Sequence, residues 1–194
     1  MANETKTGTI VRSHFVNFGD IIIEEQSSDD PKINKLLKMA SKKGLGKGRP
    51  DFFIKFNKES GFLIVMECKA DKLKHESKNR DQYADYAVDG VLLYASYLSK
   101  EFDVLAIAVS GEQPENLRVS HFLHLKRENK SHPIFGEKLL SPEDYVNGYL
   151  KSPEKFRQDY DNLLEFTQKL NKKLHTYRLS EIKFPKSLKN SQKS

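Results

Sequence analysis

The chain has 194 residues, of which 37% are hydrophobic and 31% are charged, and its net charge is +6. That length allows one good hydrophobic core with a small appendage. No apolar run approaches the roughly 20 residues that a membrane helix needs, so we expect no membrane partner. The single cysteine, Cys68, allows no internal disulfide, and the N-terminus does not resemble a secretory signal, which together favour a reducing cytoplasm.

The first predicted helix begins at Asp29-Asp30-Pro31, where an acidic cap precedes a proline in the first turn. Apolar residues at helical spacing carry it to the glycine-rich segment 44–48. Two strand-like runs follow, at 51–56 and 62–68, and the polar segment 57–61 predicts a five-residue hairpin loop between them. The second run is apolar on both faces, as is typical of a central strand covered by helices.

The next pattern predicts a helix over 84–98, followed by strands at 103–110 and 117–125. A helix between the second and third strands indicates a parallel crossover. Two more helix starts stand at Ser141-Pro142 and Ser152-Pro153, and the second opens a long apolar stripe. We therefore predict an α/β fold, with a small mixed sheet of about four strands flanked by helices. We expect a main domain over residues 1–150 and a C-terminal helix with a basic tail over 151–194.

Positive charge is concentrated in two regions of the chain. From Lys169 onward the tail holds eight basic residues and one acid, and residues 32–49 hold seven basic residues and no acid. A basic stretch just before the hairpin could attract phosphates. A solvated, lysine-rich helix face is an equal alternative on charge alone.

The hairpin carries three charged residues where a buried core is expected. Side chains alternate along a strand, so Glu67 and Lys69 point to one face and Cys68 to the other. The antiparallel pairing places Asp51 close to Glu67 and Lys69. Two neighbouring carboxylates suit Mg²⁺, which takes one or two carboxylates and keeps several waters. A lysine beside them can stabilise charge on a phosphate, although a salt bridge at the strand end would also explain the three residues.

Pro50-Asp51, an apolar hairpin and then Glu67-Cys68-Lys69 together resemble the PD-(D/E)xK nuclease superfamily. The resemblance implies a restriction-endonuclease-like core that hydrolyses phosphodiester bonds in double-stranded DNA. Gln82 and Tyr86 match the Gln-x-x-x-Tyr of some branches, where both lie on the helix after the motif and reach one DNA strand. The alternative is that Tyr86 belongs to the core and Gln82 to the surface.

Segments over residues 9–175 further resemble the N-terminal nuclease domain of type IIG-like restriction–modification enzymes. This implies that Asp51, Glu67 and the Cys68 carbonyl bind Mg²⁺, or Mn²⁺ in its place, and that Lys69 is the catalytic lysine. An upstream acid often joins the metal shell in this superfamily, and we choose Glu25, with Glu24 as the alternative.

The chain contains no Asn-Pro-Pro-Tyr or Asp-Pro-Pro-Tyr methyltransferase motif and no P-loop. The resemblance therefore implies a fused or associated N6-adenine methyltransferase and a target-recognition domain, and a possible dimer during cleavage. The other candidate functions are the nuclease end of a type I motor subunit and a non-catalytic nucleic-acid-binding module. Basic residues near the motif are the expected phosphate contacts: Lys47, Arg49, Lys72, Lys74 and Arg80.

Overall fold

The computed structural model of the protein describes residues 4–44, 46–134, 136–150 and 167–173. The chain divides into two compact units, Met1–Leu150 and Lys151–Ser194. In the second unit, residues 167–173 are helical and exposed. The predicted helix start at Ser152-Pro153 and most of its apolar stripe lie outside the described residues. Within the described ranges, every helix is too short or too polar to cross a membrane.

The first unit is built on a six-stranded mixed sheet with strand order β1-β2-β3-β4-β5-β6. The pair β3/β4 is parallel, and all the other neighbouring pairs are antiparallel. The elements in chain order are α1 Glu4–Phe15, β1 Ile21–Glu25, α2 Pro31–Leu36, β2 Phe52–Phe56, β3 Glu59–Lys69, α3 Ala87–Leu98, β4 Asp103–Ser110, β5 Arg118–His124, β6 His132–Ile134 and α4 Pro142–Tyr145.

Helices cover both faces of this sheet, so the two central strands are apolar on both sides. On one face, α3 and the α2 region pack on side chains such as Phe53 and Val65. On the other face, Val11 and Phe15 of α1 and Tyr145 of α4 pack on side chains such as Ile64. The first unit is therefore an α/β sandwich of helices around a mixed sheet.

Several predicted elements are confirmed. The four predicted strands correspond to β2, β3, β4 and β5, and α3 forms the parallel crossover between β3 and β4. Asp30 caps α2, because its side chain accepts a hydrogen bond from the Lys32 amide at 2.8 Å. Ser141 caps α4 in the same way, accepting from the Asp144 amide at 3.1 Å.

The predicted strand count of about four is wrong, because the sheet also contains β1 and β6. Both are edge strands with weak patterns in the sequence. In β1, Ile22 is 45% exposed although it lies in an apolar run, and β6 has only three residues, one of them Pro133. The structure also adds α1 before the first predicted helix.

Three element boundaries also differ from the predictions. Strand β3 begins at Glu59 rather than Phe62, since Phe56 pairs with Glu59 after a register shift and leaves a shorter turn. The first helical region is shorter than predicted: after Leu36 the chain makes a 3-10 turn and then a bridged turn between Ser41 and Gly44. Helix α3 starts at Ala87 rather than Ala84.

Two buried residues hold the long connection between β3 and α3 against the domain. The carboxylate of Asp89, which is fully buried in α3, accepts from the Ser77 amide and hydroxyl and from the Gln82 amide. The His75 ring lies between the hydroxyls of Ser110 and Ser120, at 2.8 Å and 2.9 Å. The backbone that leaves the end of β3 is therefore fixed by contacts on both sides.

Candidate active site

The hairpin of β2 and β3 brings Asp51 and Glu67 together at one end of the sheet. Phe52 pairs with Met66, so Asp51 stands opposite Glu67 on the next rung of the ladder. The Asp51 amide donates to the Met66 carbonyl at 3.1 Å, and the Cys68 amide donates to Asp51 Oδ2 at 2.6 Å. These two bonds fix the Asp51 carboxylate against the end of β3.

Alternation along β3 then places Lys69 beside Glu67 and turns Cys68 to the opposite face. Lys69 Nζ lies 3.5 Å from Glu67 Oε1, and Cys68 is buried in the core under α1. The backbone here is clamped by α1: Thr7 Oγ1 donates to the Gly111 carbonyl at 2.7 Å and lies 3.3 Å from the Lys69 carbonyl. The predicted grouping of Asp51, Glu67 and Lys69 is thus present.

Glu67 is the most buried charged residue of this group, with 1% of its surface exposed. Burial raises the pKa of Glu67 to about 7, and the neighbouring charge of Asp51 adds to the increase. The charges of Lys42 and Lys69 oppose this rise. Glu67 Oε2 is buried and has no hydrogen-bond partner among the described residues.

Lys42 is a partner of Glu67 that the sequence patterns do not predict. Its ammonium group forms an ion pair with Glu67 Oε1, and only 17% of its side chain is exposed. Lys42 lies in the short bridged turn between Ser41 and Gly44, 25 residues before Glu67. The acid-free basic stretch signals that lysines surround the site, but it does not tell which of them reaches Glu67.

The ring of Tyr94 in α3 lies beside the ion pair of Lys42 and Glu67. Lys42 Nζ lies 5.4 Å from the centre of the Tyr94 ring, a distance at which the cation is attracted to the ring face. The Tyr94 hydroxyl accepts from the Arg49 amide at 3.3 Å, just before Asp51. Burial raises the pKa of Tyr94, and the charge of Glu67 adds to this, so the phenol stays neutral.

The two upstream acids lie on opposite faces of β1. Glu25 is exposed and pairs with Arg12 of α1, with both carboxylate oxygens 2.5 Å from the guanidinium. Glu24 is opposite Phe53 and therefore shares the sheet face of Glu67. Burial opposes ionisation of Glu24, but hydrogen bonds from Lys55 and Ser28 hold its pKa below its ordinary value. The structure does not bring Glu25 to the face that carries Glu67.

Gln82 and Tyr86 precede α3 and do not share a helical face. The Gln82 carbonyl accepts from the amides of Asp85 and Tyr86, which makes a turn, and Tyr86 has an extended backbone. The helix starts after this turn because Asp89 binds the Gln82 amide. Gln82 is exposed, and the Tyr86 ring is covered by Lys74 Nζ at 4.8 Å.

The basic residues predicted to contact phosphates differ in their hydrogen-bond partners and in their exposure. Lys47 donates to Asn34 at 2.8 Å, and Arg80 donates to Glu76 at 2.6 Å while its guanidinium lies 5.1 Å from the Phe122 ring. Lys72 is bonded to Asn116. Lys47, Arg49, Lys74 and Arg80 are exposed, and Lys72 is partly exposed.

The donors at this site fit a magnesium ion better than a softer metal. In the part of the chain that the structure describes, no three His, Cys, Asp or Glu side chains form a metal-binding group. Mg²⁺ does not require three, since it binds through one or two carboxylates and retains waters. The amide of Cys68 points toward Asp51, so the carbonyl of the same residue is directed to that side as well.

No family model, curated protein or solved structure matches the chain.

The raised pKa of Glu67 leads to a prediction about stability and pH. Because this pKa is about 7 in the folded protein against an ordinary 4.5, the folded state binds an extra proton between these values. The stability that Glu67 gains by binding this proton is fully present below the ordinary pKa of 4.5 and is lost as the pH rises through the folded-state pKa of about 7. We expect wild type to lose stability relative to Glu67→Gln as the pH rises over this window.

Urea unfolding at a series of pH values measures this difference, with the exposed Glu115→Gln as control. Glu115→Gln should follow the pH dependence of wild type. A constant difference between wild type and Glu67→Gln across the window would contradict the prediction.

Gly90 in α3 makes room for the ion pair. A Cβ there would lie 2.9 Å from the Tyr83 carbonyl oxygen and 3.3 Å from both Glu67 Cγ and Lys42 Cε. We expect Gly90→Ala to destabilise the protein by about 1–3 kcal/mol, as overpacking does, despite the higher helix propensity of alanine. Gly8→Ala in α1, where the nearest atom is 3.7 Å away, should be neutral or stabilising in the same urea unfolding measurement. Equal stability of the two variants would contradict the claim that Gly90 leaves space for the ion pair of Lys42 and Glu67.

Proposed function

We propose that this chain is a Mg²⁺-dependent DNA endonuclease domain of a restriction–modification enzyme, built on a restriction-endonuclease-like core. One observation carries the proposal: Asp51 and Glu67 face each other at the end of a buried hairpin, and Lys69 lies 3.5 Å from Glu67. Burying Glu67 beside the partly buried Asp51 is costly, and groups perturbed in this way cluster at functional sites.

The roles of the residues follow from their chemistry. The carboxylates of Asp51 and Glu67 and the Cys68 carbonyl would hold the ion. A bound Mg²⁺ would polarise the phosphate and lower the pKa of a water. The Lys69 ammonium, fixed beside Glu67, would stabilise the charge that develops on the phosphate in the transition state.

The substrate we propose is double-stranded DNA, held through its phosphates. The exposed basic residues around the hairpin and the β3–α3 connection can neutralise phosphates but carry no base information. Sequence choice would come from a target-recognition domain, fused or associated together with an N6-adenine methyltransferase. One such site cuts one strand, so a double-strand break would need a second copy of the domain. We propose the cytoplasm as the place where the enzyme acts.

A second candidate is a nucleic-acid-binding module in which the same cluster is structural. The observation that favours it is the ion pairing itself, because Lys42 and Lys69 both contact Glu67. Together with Asp51 these residues carry two negative and two positive charges, so the cluster is neutral when all four are ionised. A nuclease domain of a type I motor subunit would use the same residues as the proposed enzyme, and the genes beside this one separate those two alternatives.

Nicking of supercoiled plasmid by the isolated chain tests the enzymatic proposal. We expect slow nicking without sequence preference in Mg²⁺ or Mn²⁺. Asp51→Asn should abolish nicking by weakening metal binding. Lys69→Ala should reduce the nicking rate at least about a hundredfold while DNA affinity in gel shifts is retained. The exposed Asp85→Asn and Lys130→Ala serve as matched controls and should nick like wild type, since Lys130 lies after β5, outside the hairpin and the β3–α3 connection.

Two results would contradict the enzymatic proposal. Nicking that survives both Asp51→Asn and Lys69→Ala would arise elsewhere. DNA binding without any nicking in either metal would favour the binding module instead.

A further inference from the structure

The ion pair between Lys42 and Glu67 places a protein cation where the proposed metal would bind. Lys42 Nζ contacts Oε1 of Glu67, an oxygen that a metal ion at Asp51 and Glu67 would also use or approach. An ammonium group offers no lone pair to a metal and repels it. Lys42 and a divalent cation therefore compete for one carboxylate.

Of the two lysines on Glu67, Lys42 is the one that can leave. Lys69 is on β3, its carbonyl accepts from the Gly111 amide at 3.0 Å, and its side chain is 10% exposed. Lys42 lies instead in a surface turn beside Lys43 and Gly44, which are both exposed. Its side chain is 17% exposed, and the flexible stem of a lysine allows the ammonium group to move while the sheet stays in place.

We propose that Lys42 is a positioning residue that holds Glu67 before the metal arrives and is displaced from Glu67 when the metal binds. This inference rests on the proposed function, because it assigns Lys42 a role at that metal site. A displaced Lys42 would carry its charge toward a DNA phosphate, so that DNA and metal favour each other's binding. That coupling is reciprocal by linkage.

Calorimetric titration of the full chain with Mn²⁺ at pH 8 tests the competition. Lys42→Met removes the competing cation and should bind Mn²⁺ at least about fivefold more tightly than wild type, a ratio at the lower end of usual coupling energies. The exposed neighbour Lys43→Met is the matched control and should bind like wild type. Asp51→Asn should bind more weakly than wild type.

The outcomes separate this inference from the proposed function. Equal Mn²⁺ affinity of wild type and Lys42→Met, with weakened binding by Asp51→Asn, would overturn the role of Lys42 and leave the metal site intact. Binding unaffected by Asp51→Asn, or no binding by any of the proteins, would overturn the metal site and with it the role of Lys42.

A second measurement uses wild type alone and so does not depend on the folding of a variant. Acylation of lysine amines, followed by mass spectrometry, reports how accessible each ammonium group is. Mn²⁺ should increase the labelling rate of Lys42 several-fold and leave that of Lys43 unchanged. An unchanged rate at Lys42, under conditions where Mn²⁺ is bound, would overturn the displacement.

Discussion

The buried carboxylate of Glu67 is the constraint on which the rest of this site depends. An ionised acid with 1% exposure costs free energy unless cations or hydrogen-bond donors compensate it. Here the compensation comes from two lysines, while the nearby Asp51 opposes it and the second oxygen of Glu67 has no partner among the described residues. The raised pKa of Glu67 expresses this incomplete compensation.

The surrounding elements are arranged around that carboxylate. Strand β3 fixes the backbone of Glu67, and α1 clamps the strand end through Thr7. Helix α3 contributes Gly90, which leaves space for the ion pair, and Tyr94, whose ring faces Lys42. A fold that needed only stability could replace these charges by packed apolar residues at no loss, because buried ion pairs often contribute little net stability. Stability alone therefore does not explain why this fold contains these charges.

The central part of this arrangement could be predicted from the sequence, because it depends on local rules. Alternation along one strand places Glu67 and Lys69 together and Cys68 opposite, and the register predicted for the hairpin, in which Phe52 pairs with Met66, brings Asp51 opposite Glu67. Glu24 and Glu25 differ: alternation separates their faces, but only the pairing of β1 with β2 decides which face each occupies. The contact of Lys42 with Glu67 depends on how the turn between Ser41 and Gly44 packs against β3, which neither alternation nor strand pairing determines. The start of α3 depends on a hydrogen bond from the Gln82 amide to Asp89.

The proposed function requires Asp51 and Glu67 to bind one divalent cation together. Anomalous diffraction from crystals of the protein soaked in Mn²⁺ tests it most directly. We expect a single strong peak at about 2.0–2.4 Å from oxygens of both Asp51 and Glu67, within the range of oxygen-coordinated divalent metals. A peak elsewhere with none at this pair, or unoccupied carboxylates at saturating Mn²⁺ with Lys42 still bound to Glu67, would contradict it.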